Sequence, residues 1–240
     1  MTLDEILASL FPEGHHIDIG ESILIGGGKL PQKGQVHVLG VHGRNFLGIE
    51  DACALARHAV DILASGDGQP ILLLVDSASQ RMTRRDEMLG LNEYLAHLAK
   101  TLILAGIRGH RVIALLYGGS AAGAFIATAL AADTMVALPG AHPEVMDLPS
   151  MARVTKLPIA VLEEKAKATP IFAPGLDNLA QTGAVLETWS PDKPLDEQLR
   201  ALMKKPPAAD HRDSLGAERQ GRPKAAAIAA RIVELAQKSA

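Results

Sequence analysis

Three apolar runs, each the length of a β-strand, recur along the first two thirds of the chain. They span residues 71–75, 112–117 and 135–138, and the residues that end them are Asp, Gly and Pro. Short continuous apolar runs are typical of strands that are covered on both faces. Segments long enough for helices separate the runs. The pattern therefore predicts an α/β fold with a buried, parallel-rich sheet.

Apolar residues at helical spacing predict the helices that accompany these strands. The predicted helices span residues 2–11, 49–63, 88–105, 125–132 and 157–167. At the first of them, Thr2 and Glu5 have the spacing of a capping box. Two further strands are predicted at residues 17–25 and 35–41. Gly26-Gly27-Gly28-Lys29 is predicted to be the flexible hairpin connection between them, and not a phosphate loop, because Leu30 follows Lys29 where Ser or Thr is required.

The candidate chemistry gathers where the second apolar run meets a turn of small residues. This turn consists of Gly118, Gly119, Ser120, Ala121, Ala122 and Gly123. Glycines let the backbone approach a ligand closely, and main-chain N–H groups at the start of a helix have no internal partner. A hole of N–H groups that stabilises an oxyanion needs this geometry and no particular side chain. The same small residues also permit tight packing of a helix on a sheet, so the pattern alone leaves both interpretations open.

Two titratable residues follow the turn and its next strand. His142 and Glu144 are the only pair beside the glycine turn that could move a proton. Pro143 lies between them and favours an extended conformation at His142. Ser120 offers an alternative as a nucleophile, but the nucleophile-elbow motif requires Gly where Ala122 stands.

Other polar segments are weaker candidates. Loop 40–48 contains His42 and Arg44, which could meet a phosphate or a carboxylate but more simply lie on the surface. Residues 76–80 follow a buried strand, where α/β sheets line ligand crevices. The charged residues Arg81, Arg84, Arg85, Asp86 and Glu87 are predicted to form a solvated helix entrance. His15 and His16 are predicted to be solvated, and Gln181 and Thr182 to lie in a structural turn.

Composition excludes several classes of function. The chain has 240 residues, 48% of them hydrophobic, and a formal net charge of −3. This charge argues against a general nucleic-acid surface. A single cysteine, Cys53, excludes a disulfide framework and favours a reducing cytoplasm. We find no signal-peptide pattern and no uncharged apolar run of the roughly 18 residues that a membrane helix requires. We therefore expect a cytoplasmic protein with no membrane or nucleic-acid partner.

The composition changes after residue 204. Residues 204–224 are rich in Pro, Gly and charge, which predicts a linker or an extended arm. Residues 225–237 form a predicted amphipathic helix. The expected organisation is one domain over residues 1–205, followed by a linker and terminal helix over 206–240 that contact a partner.

The glycine turn carries a family resemblance. Residues 118–124 resemble the Gly-Gly-Ser-Gly-Gly-Ala turn of acyl-CoA carboxyltransferases in the crotonase-like superfamily. Pro143-Glu144 matches the Ser-Pro-Glu that follows this turn in the α subunits of bacterial carboxyltransferases. Asp76-Ser77-Ala78-Ser79-Gln80 is comparable to the Asp-Thr-Pro-Gly-Ala of carboxyltransferases. Residues 178–187 are similar to the family's last helix-to-strand turn. Within the superfamily, residues 20–205 are most similar to the γ subunits of biotin-independent malonate decarboxylases.

The resemblance implies a fold and a reaction. The fold would be a crotonase-like (ClpP/crotonase) spiral of ββα units with a C-terminal helical appendage. The reaction would convert a malonyl thioester to an acetyl thioester through an enolate, with the site shared with a related β subunit. No cofactor would bind directly, because the thioester would be formed on a dephospho-CoA-like thiol of an acyl carrier subunit. The implied partners are the β subunit, the acyl carrier subunit and its transferase subunit.

Three alternatives remain at this level. A biotin-dependent carboxyltransferase α subunit would share the fold. A ClpP-like serine peptidase would use Ser120, although the sequence assigns no His–Asp pair to it. A non-catalytic scaffold subunit would keep the glycine turn without using it.

Overall fold

The computed structural model describes residues 1–169, 173–205, 210–222 and 224–239. Its strands are β1 (His15–Ile19), β2 (Ile23–Leu30), β3 (Gly34–Leu47), β4 (Ile71–Gln80), β5 (Val112–Leu116), β6 (Gly119–Ala121), β7 (Thr134–Ala137), β8 (His142–Glu144) and β9 (Glu187–Thr188). Seven of them form one sheet in the order β1-β2-β3-β4-β5-β7-β9, and β6 and β8 form a second. The pairs β1–β2 and β2–β3 are antiparallel and the others are parallel. The predicted parallel-rich α/β fold is confirmed.

Helices cover both faces of the large sheet. The helices of the described residues are α1 (Leu3–Leu10), α2 (Ile49–Ser65), α3 (Arg84–Met88), α4 (Leu91–Ile107), α5 (Ala122–Ala127), α6 (Leu148–Thr155), α7 (Ile159–Ala168), α8 (Leu176–Gln181), α9 (Leu195–Lys204), α10 (Arg212–Glu218) and α11 (Ala225–Ser239). Residues of α2 and α4 form the core on one face, and residues of α1 and α9 form it on the other. Along β4, Leu73 packs into the first core and Leu72 into the second, so this strand is buried on both faces as its apolar run predicts.

Short strands interrupt the connections between the large sheet and its helices. Strand β5 of the large sheet is followed by β6 of the small sheet and then by α5. Strand β7 is followed in the same way by β8 and α6. This repetition places β6 and β8 side by side beyond the carboxyl ends of β5 and β7, which is the edge where ligands bind in α/β sheets.

The hairpin interpretation of Gly26–Lys29 is wrong, because these residues lie inside β2, where all four pair with β3 and the three glycines also pair with β1. Close packing explains the glycines. A Cβ atom at Gly26 would lie 2.2 Å from the His16 carbonyl oxygen, and one at Gly28 would lie 2.4 Å from the ring of Phe11. The connection between the strands is formed by residues 31–33.

Several helix bounds also differ from the sequence-based expectation. The segment 88–105 contains the end of α3 and most of α4, with a break at Gly90, whose φ is +79°. Helix α5 starts at Ala122 and ends at Ala127, and a 3-10 turn at Ala129–Ala131 follows it. Helix α6 was not predicted, although Asp147 caps it by accepting a hydrogen bond from the Ser150 main-chain nitrogen. The predicted capping box of Thr2 and Glu5 is present.

The linker interpretation of residues 204–224 is wrong for residues 212–221, which pack on the main domain. The Arg219 guanidinium donates hydrogen bonds of 2.7 Å to the carbonyl oxygens of Ala180, Val185 and Leu186. Backbones meet closely here, because Cβ atoms at Gly183, Gly216 and Gly221 would lie 2.1–2.3 Å from carbonyl oxygens of the facing segment. Residues 206–209 and 223 of the expected linker lie outside the described residues.

The terminal helix α11 exposes apolar side chains. Ile228, Ile232 and Val233 are 57%, 61% and 55% exposed. Among the described residues, no helix combines the length and the apolar character needed to cross a membrane.

Candidate functional site

The small sheet has one buried face and one open face. In its parallel register Gly119 pairs with His142, Ser120 with Pro143 and Ala121 with Glu144. Successive residues of a strand project to opposite faces. Ser120 and Pro143 therefore share the buried face, while His142 and Glu144 share the open face with Ala121.

Ser120 lies on the buried face and is inaccessible. Its side chain is 0% exposed, and its hydroxyl donates a 2.7 Å hydrogen bond to the carbonyl oxygen of Gly119. No histidine of the described residues contacts this hydroxyl. A serine nucleophile needs a base within hydrogen-bond distance and access to the substrate. The geometry therefore does not favour the peptidase alternative.

His142 and Glu144 are brought together on the open face. The His142 Nε2 and a Glu144 carboxylate oxygen lie 3.7 Å apart, and the two side chains are 57% and 23% exposed. The extended backbone of β8 places both side chains on one side, as Pro143 between them favours. The pair is accessible to a ligand or a partner that approaches the open face.

Side chains from the end of β4 bond to main-chain N–H groups near both ends of the glycine turn. The Gly119 nitrogen donates to Asp76 Oδ1 at 2.7 Å. The Gly123 nitrogen donates to Gln80 Oε1 at 2.8 Å. Gly118 leaves the space for this arrangement, because a Cβ atom there would lie 2.1 Å from Asp76 Oδ1. These two of the predicted N–H donors therefore already have acceptors within the chain.

The turn itself bends at Ala122. Ala121 is extended, with φ −124° and ψ 150°, whereas Ala122 has a φ of +50°. A left-handed conformation costs a residue with a side chain about 1–2 kcal/mol. The chain thus accepts strain at the residue that redirects it from β6 into α5.

Asp76 joins two loops through one carboxylate. Its Oδ1 accepts from Gly119, and its Oδ2 accepts from the main-chain nitrogen of Arg44 at 3.2 Å. Arg44 is held with a φ of +53°. The Tyr117 hydroxyl is buried nearby without a hydrogen-bond partner in the described chain. Burial and the Asp76 charge raise the pKa of this hydroxyl well above its usual value.

The Arg44 guanidinium lies over Gly119. A Cβ atom at Gly119 would be 3.2 Å from the Arg44 Nε and 2.9 Å from the Ser77 carbonyl oxygen. Gly119 pairs with His142, and residues paired across strands project to the same face. A side chain at Gly119 would therefore point to the same side of the small sheet as the His142 side chain. Arg44 therefore lies on the same side of the small sheet as His142 and, two residues further along β8, Glu144.

The charged segment after β4 is not simply solvated. Asp86 is 1% exposed and accepts hydrogen bonds from Arg81 Nε at 2.8 Å and Nη2 at 3.1 Å. Arg81 also bonds to Glu50, as does Arg85. Hydrogen bonds from Arg81 and Thr83 hold the pKa of Asp86 well below its usual range. The expectation of a solvated helix entrance is therefore wrong for Asp86 and Arg81.

The remaining candidates have structural positions. His42 contacts the Gly20 carbonyl oxygen at 3.0 Å. Thr182 donates to the Leu179 carbonyl oxygen, at the place where α10 packs. Cys53 is half-buried in α2. The described residues contain no group of three or more His, Cys, Asp or Glu side chains arranged to hold a metal ion.

Comparison with known proteins identifies the family. The model of the MdcE family, malonate decarboxylase gamma subunit, matches residues 43–236. The chain belongs to this family. A chain in the crystal structure of the Pseudomonas malonate decarboxylase MdcD-MdcE hetero-dimer is 25% identical, with a TM-score of 0.72 and coverage of 96% of this chain and 98% of that chain. A chain of a Pseudomonas malonate decarboxylase hetero-tetramer in complex with coenzyme A is 24% identical, with a TM-score of 0.76 and 98% coverage of both.

A curated relative extends the comparison. The malonyl-S-ACP:biotin-protein carboxyltransferase MADD of Malonomonas rubra is 35% identical over 122 residues, 50% of this chain and 42% of that protein. The match thus spans less than half the length of this relative. The structural likenesses confirm the expected crotonase-like carboxyltransferase fold for this malonate decarboxylase gamma subunit family member.

The Gln80–Gly123 and Asp76–Gly119 contacts are the features of the site that sequence reasoning missed. The sequence marks residues 76–80 and 118–123 as separate candidates, and each contact joins residues that are 43 positions apart. The signal available in the sequence was a pair of hydrogen-bonding side chains at the carboxyl end of a buried strand.

Proposed function

We propose that this chain forms one half of a malonate decarboxylase site, which it shares with a related β subunit. The reaction would convert a malonyl thioester to an acetyl thioester and carbon dioxide. The observation that carries the proposal is the open face around Gly119, where an arginine and an acid–base pair flank the glycine turn while Ser120 points into the core. Membership of the malonate decarboxylase gamma subunit family supplies the substrate class.

The chemistry requires one bond to break and one proton to be delivered. The bond between the carboxylate and the α-carbon breaks, its electron pair moves into the thioester carbonyl, and carbon dioxide leaves. The resulting enolate is then protonated at the α-carbon. We assign proton delivery to His142, with Glu144 as the residue that orients it. The Gly119 and Gly123 N–H groups are already bonded to Asp76 and Gln80, so only the other main-chain N–H groups of residues 118–123 are assigned to the electrostatic environment of the reacting oxygens.

A carrier-borne substrate fits the accessibility of this site. His142 is 57% exposed on the open face, so a group that enters from another subunit can reach it. A related hetero-tetramer has been solved in complex with coenzyme A. We propose that the substrate is held on a dephospho-CoA-like thiol of an acyl carrier subunit, which supplies the thioester carbonyl that accepts the electron pair. His142 and Glu144 are the residues that would face the malonyl end.

The partners follow from the same arrangement. We propose the β subunit as the stable partner, and the acyl carrier subunit and its transferase as the others. The likeness to a chain of the MdcD-MdcE hetero-dimer supports the β subunit, and the likeness to a malonyl-S-ACP carboxyltransferase supports the acyl carrier subunit. A cytoplasmic location fits the free thiol of Cys53.

The terminal helix is proposed as an interface element. We keep residues 1–205 as the main domain and residues 206–240 as its appendage, with the segment 212–221 packed on the domain. Ile228, Ile232 and Leu235 share one face of α11 and are 57%, 61% and 47% exposed. Exposed apolar faces of this kind mark protein–protein contacts.

Reconstitution tests the proposed function. Purified chain should be inactive alone and should decarboxylate a malonyl carrier when combined with its β subunit. In the complex, His142→Gln should lower kcat about 100-fold, within the range for loss of a general acid. His58→Gln removes an exposed histidine from α2 and should leave kcat unchanged. Decarboxylation by the isolated chain would contradict the shared site, and unchanged kcat in His142→Gln would contradict the assignment of the proton donor.

A further inference from the structure

Neither Gly119 nor Gly123 offers a free main-chain donor. The Asp76 carboxylate accepts the first N–H at 2.7 Å and the Gln80 carboxamide accepts the second at 2.8 Å. A substrate oxygen would have to displace a charged acceptor from Gly119 or an amide oxygen from Gly123. Hydrogen bonds to a charged acceptor are among the strong ones in proteins. This half of the site is therefore poorly suited to hold the thioester oxygen through those two groups.

Arg44 lacks an ionic partner in the part of the chain that the structure describes. No carboxylate of the described residues forms an ion pair with the Arg44 guanidinium. By contrast, the nearby Arg81 and Arg85 both pair with Glu50. The Arg44 side chain is exposed, yet its backbone is fixed in a left-handed conformation and bonded to Asp76. Loop 40–48 thus holds the Arg44 guanidinium in place while its positive charge has no carboxylate partner among the described residues.

The Arg44 guanidinium lies against the small sheet. It covers Gly119, and a Cβ atom there would come within 3.2 Å of the Arg44 Nε and within 3.7 Å of its Nη2. Gly119 pairs with His142 in the small sheet, so the guanidinium and the imidazole flank the same glycine on the same face. The planar guanidinium fork matches the two oxygens of a carboxylate. Glu144 lies 3.7 Å from His142, and its negative charge would repel a bound carboxylate, which would therefore lie nearer to the Arg44 guanidinium.

We infer that Arg44 binds the free carboxylate of the malonyl group. This inference rests on the proposed function and divides the work of the site: this chain holds the carboxylate that leaves, and the partner subunit holds the thioester oxygen. Arg44 is a substrate-binding residue, because it would touch the group that departs. It fixes the direction of the bond that breaks, and its hold ends when the carboxylate becomes neutral carbon dioxide. The acetyl product, which lacks this anion, is then bound less tightly than the substrate.

Binding and turnover measurements on the reconstituted complex test the inference. The probes are acetyl-pantetheine, which has no anion, and sulfoacetyl-pantetheine, in which a sulfonate replaces the carboxylate and cannot leave as carbon dioxide. Dephospho-CoA carries phosphates but no acyl carboxylate. Arg44→Met should weaken binding of sulfoacetyl-pantetheine about 10- to 100-fold and leave acetyl-pantetheine and dephospho-CoA unchanged. It should raise KM for the malonyl carrier more than it lowers kcat, and Arg44→Lys should recover part of the loss.

Arg57→Met is the matched control. Arg57 is also exposed and forms no ion pair with the described residues, but it lies on α2. This variant should bind all three probes like the wild type. Circular dichroism and co-purification with the β subunit establish that Arg44→Met folds and assembles.

Two results would overturn the inference. One is equal binding of the sulfonate probe by Arg44→Met and wild type. The other is a loss that is as large for dephospho-CoA, which would assign Arg44 to a phosphate of the carrier arm. Failure of the proposed function gives a different result. If the wild-type complex binds the sulfonate probe through Arg44 but does not decarboxylate the malonyl carrier, the role of Arg44 in binding stands and the proposed reaction is refuted.

Discussion

The carboxamide oxygen of Gln80 lies 2.8 Å from the main-chain nitrogen of Gly123, across 43 positions of sequence. The bond fixes the end of β4 against the beginning of α5. It also gives the glycine turn an internal acceptor at a place where sequence reasoning expects an open donor.

Loss of this acceptor should loosen the turn. Gln80→Ala leaves the Gly123 N–H without its partner, so we expect the free energy of unfolding to fall by about 0.5–1.5 kcal/mol. Amide hydrogen exchange at Gly123 should become faster. Gln80→Glu keeps an oxygen acceptor and should retain slow exchange. Equal exchange rates in wild type and Gln80→Ala would show that this bond does not order the turn.

Ser120 distinguishes the decarboxylase from the hydrolase. Its hydroxyl is buried against the Gly119 carbonyl oxygen, so Ser120→Ala removes one neutral hydrogen bond and no nucleophile. We expect at most a tenfold loss of decarboxylation rate, or about 1.4 kcal/mol. A fluorophosphonate should not label the wild type. Complete loss of activity in a folded Ser120→Ala variant, together with labelling of wild type at Ser120, would require a serine hydrolase mechanism.

The Arg81–Asp86 pair should make stability depend on acidic pH. The pKa of Asp86 is lowered in the folded chain by hydrogen bonds from Arg81 and Thr83. The pair therefore stabilises the fold fully above the unfolded pKa of about 4, and this contribution is lost as pH falls toward the lower folded pKa.

Substitution isolates this contribution. Asp86→Asn should lower the free energy of unfolding at pH 7 by about 3 kcal/mol, because it leaves Arg81 without its buried partner. The variant should also show a weaker loss of stability between pH 5 and pH 2, measured by urea titration at each pH. Glu87→Gln removes a neighbouring exposed carboxylate and should leave both quantities unchanged. An identical pH profile for Asp86→Asn and wild type would contradict the assignment.

Ala122 should tolerate glycine better than an ordinary helical alanine. Its φ of +50° is strained for a residue with a Cβ atom and unstrained for glycine. Relief of strain offsets the greater entropy loss of glycine, so Ala122→Gly should change the unfolding free energy by between 0 and about +1 kcal/mol. Ala201→Gly, at an exposed position of α9, should instead destabilise by about 0.5–1 kcal/mol. Similar losses for both variants would argue against the left-handed turn.

Two truncations separate the docked segment from the terminal helix. A chain that ends at residue 222 keeps the three hydrogen bonds of Arg219 and should melt within a few degrees of the full chain. A chain that ends at residue 205 loses them together with α10, and its Tm should fall by at least about 5 °C. The first truncation should still reduce binding to the β subunit, measured by co-purification. Equal melting temperatures for the two truncations would show that residues 212–221 do not stabilise the domain.

The sequence predicted those features that depend on neighbouring residues. The buried strands at 71–75 and 112–116 are continuous apolar runs, and the capping box of Thr2 and Glu5 is a local pattern. The pairing of His142 with Glu144 also follows from their spacing on one strand.

The features that escaped prediction depend on distant partners. The glycines at 26–28 resemble a turn until Phe11 and β1 are packed against them. The sequence around Asp86 predicts a surface charge, because its burial depends on Arg81, which bonds to both Asp86 and Glu50. Glu50 lies 31 positions before Arg81. Residues 212–221 read as a linker because their stabilising contacts are carbonyl oxygens, which every sequence offers and no side-chain pattern reveals.

The close contact between the segments around Gly183 and Gly216 has a consequence for mutational tolerance. Cβ atoms at Gly183, Gly216 and Gly221 would each collide with a carbonyl oxygen or main-chain nitrogen that cannot move aside as a side chain can. Even alanine at any of these positions would force the two backbones apart. A saturation mutagenesis scan should therefore show these three positions to be intolerant although they lie well outside the glycine turn at 118–123. Their intolerance would reflect contact between backbones and not a role in catalysis.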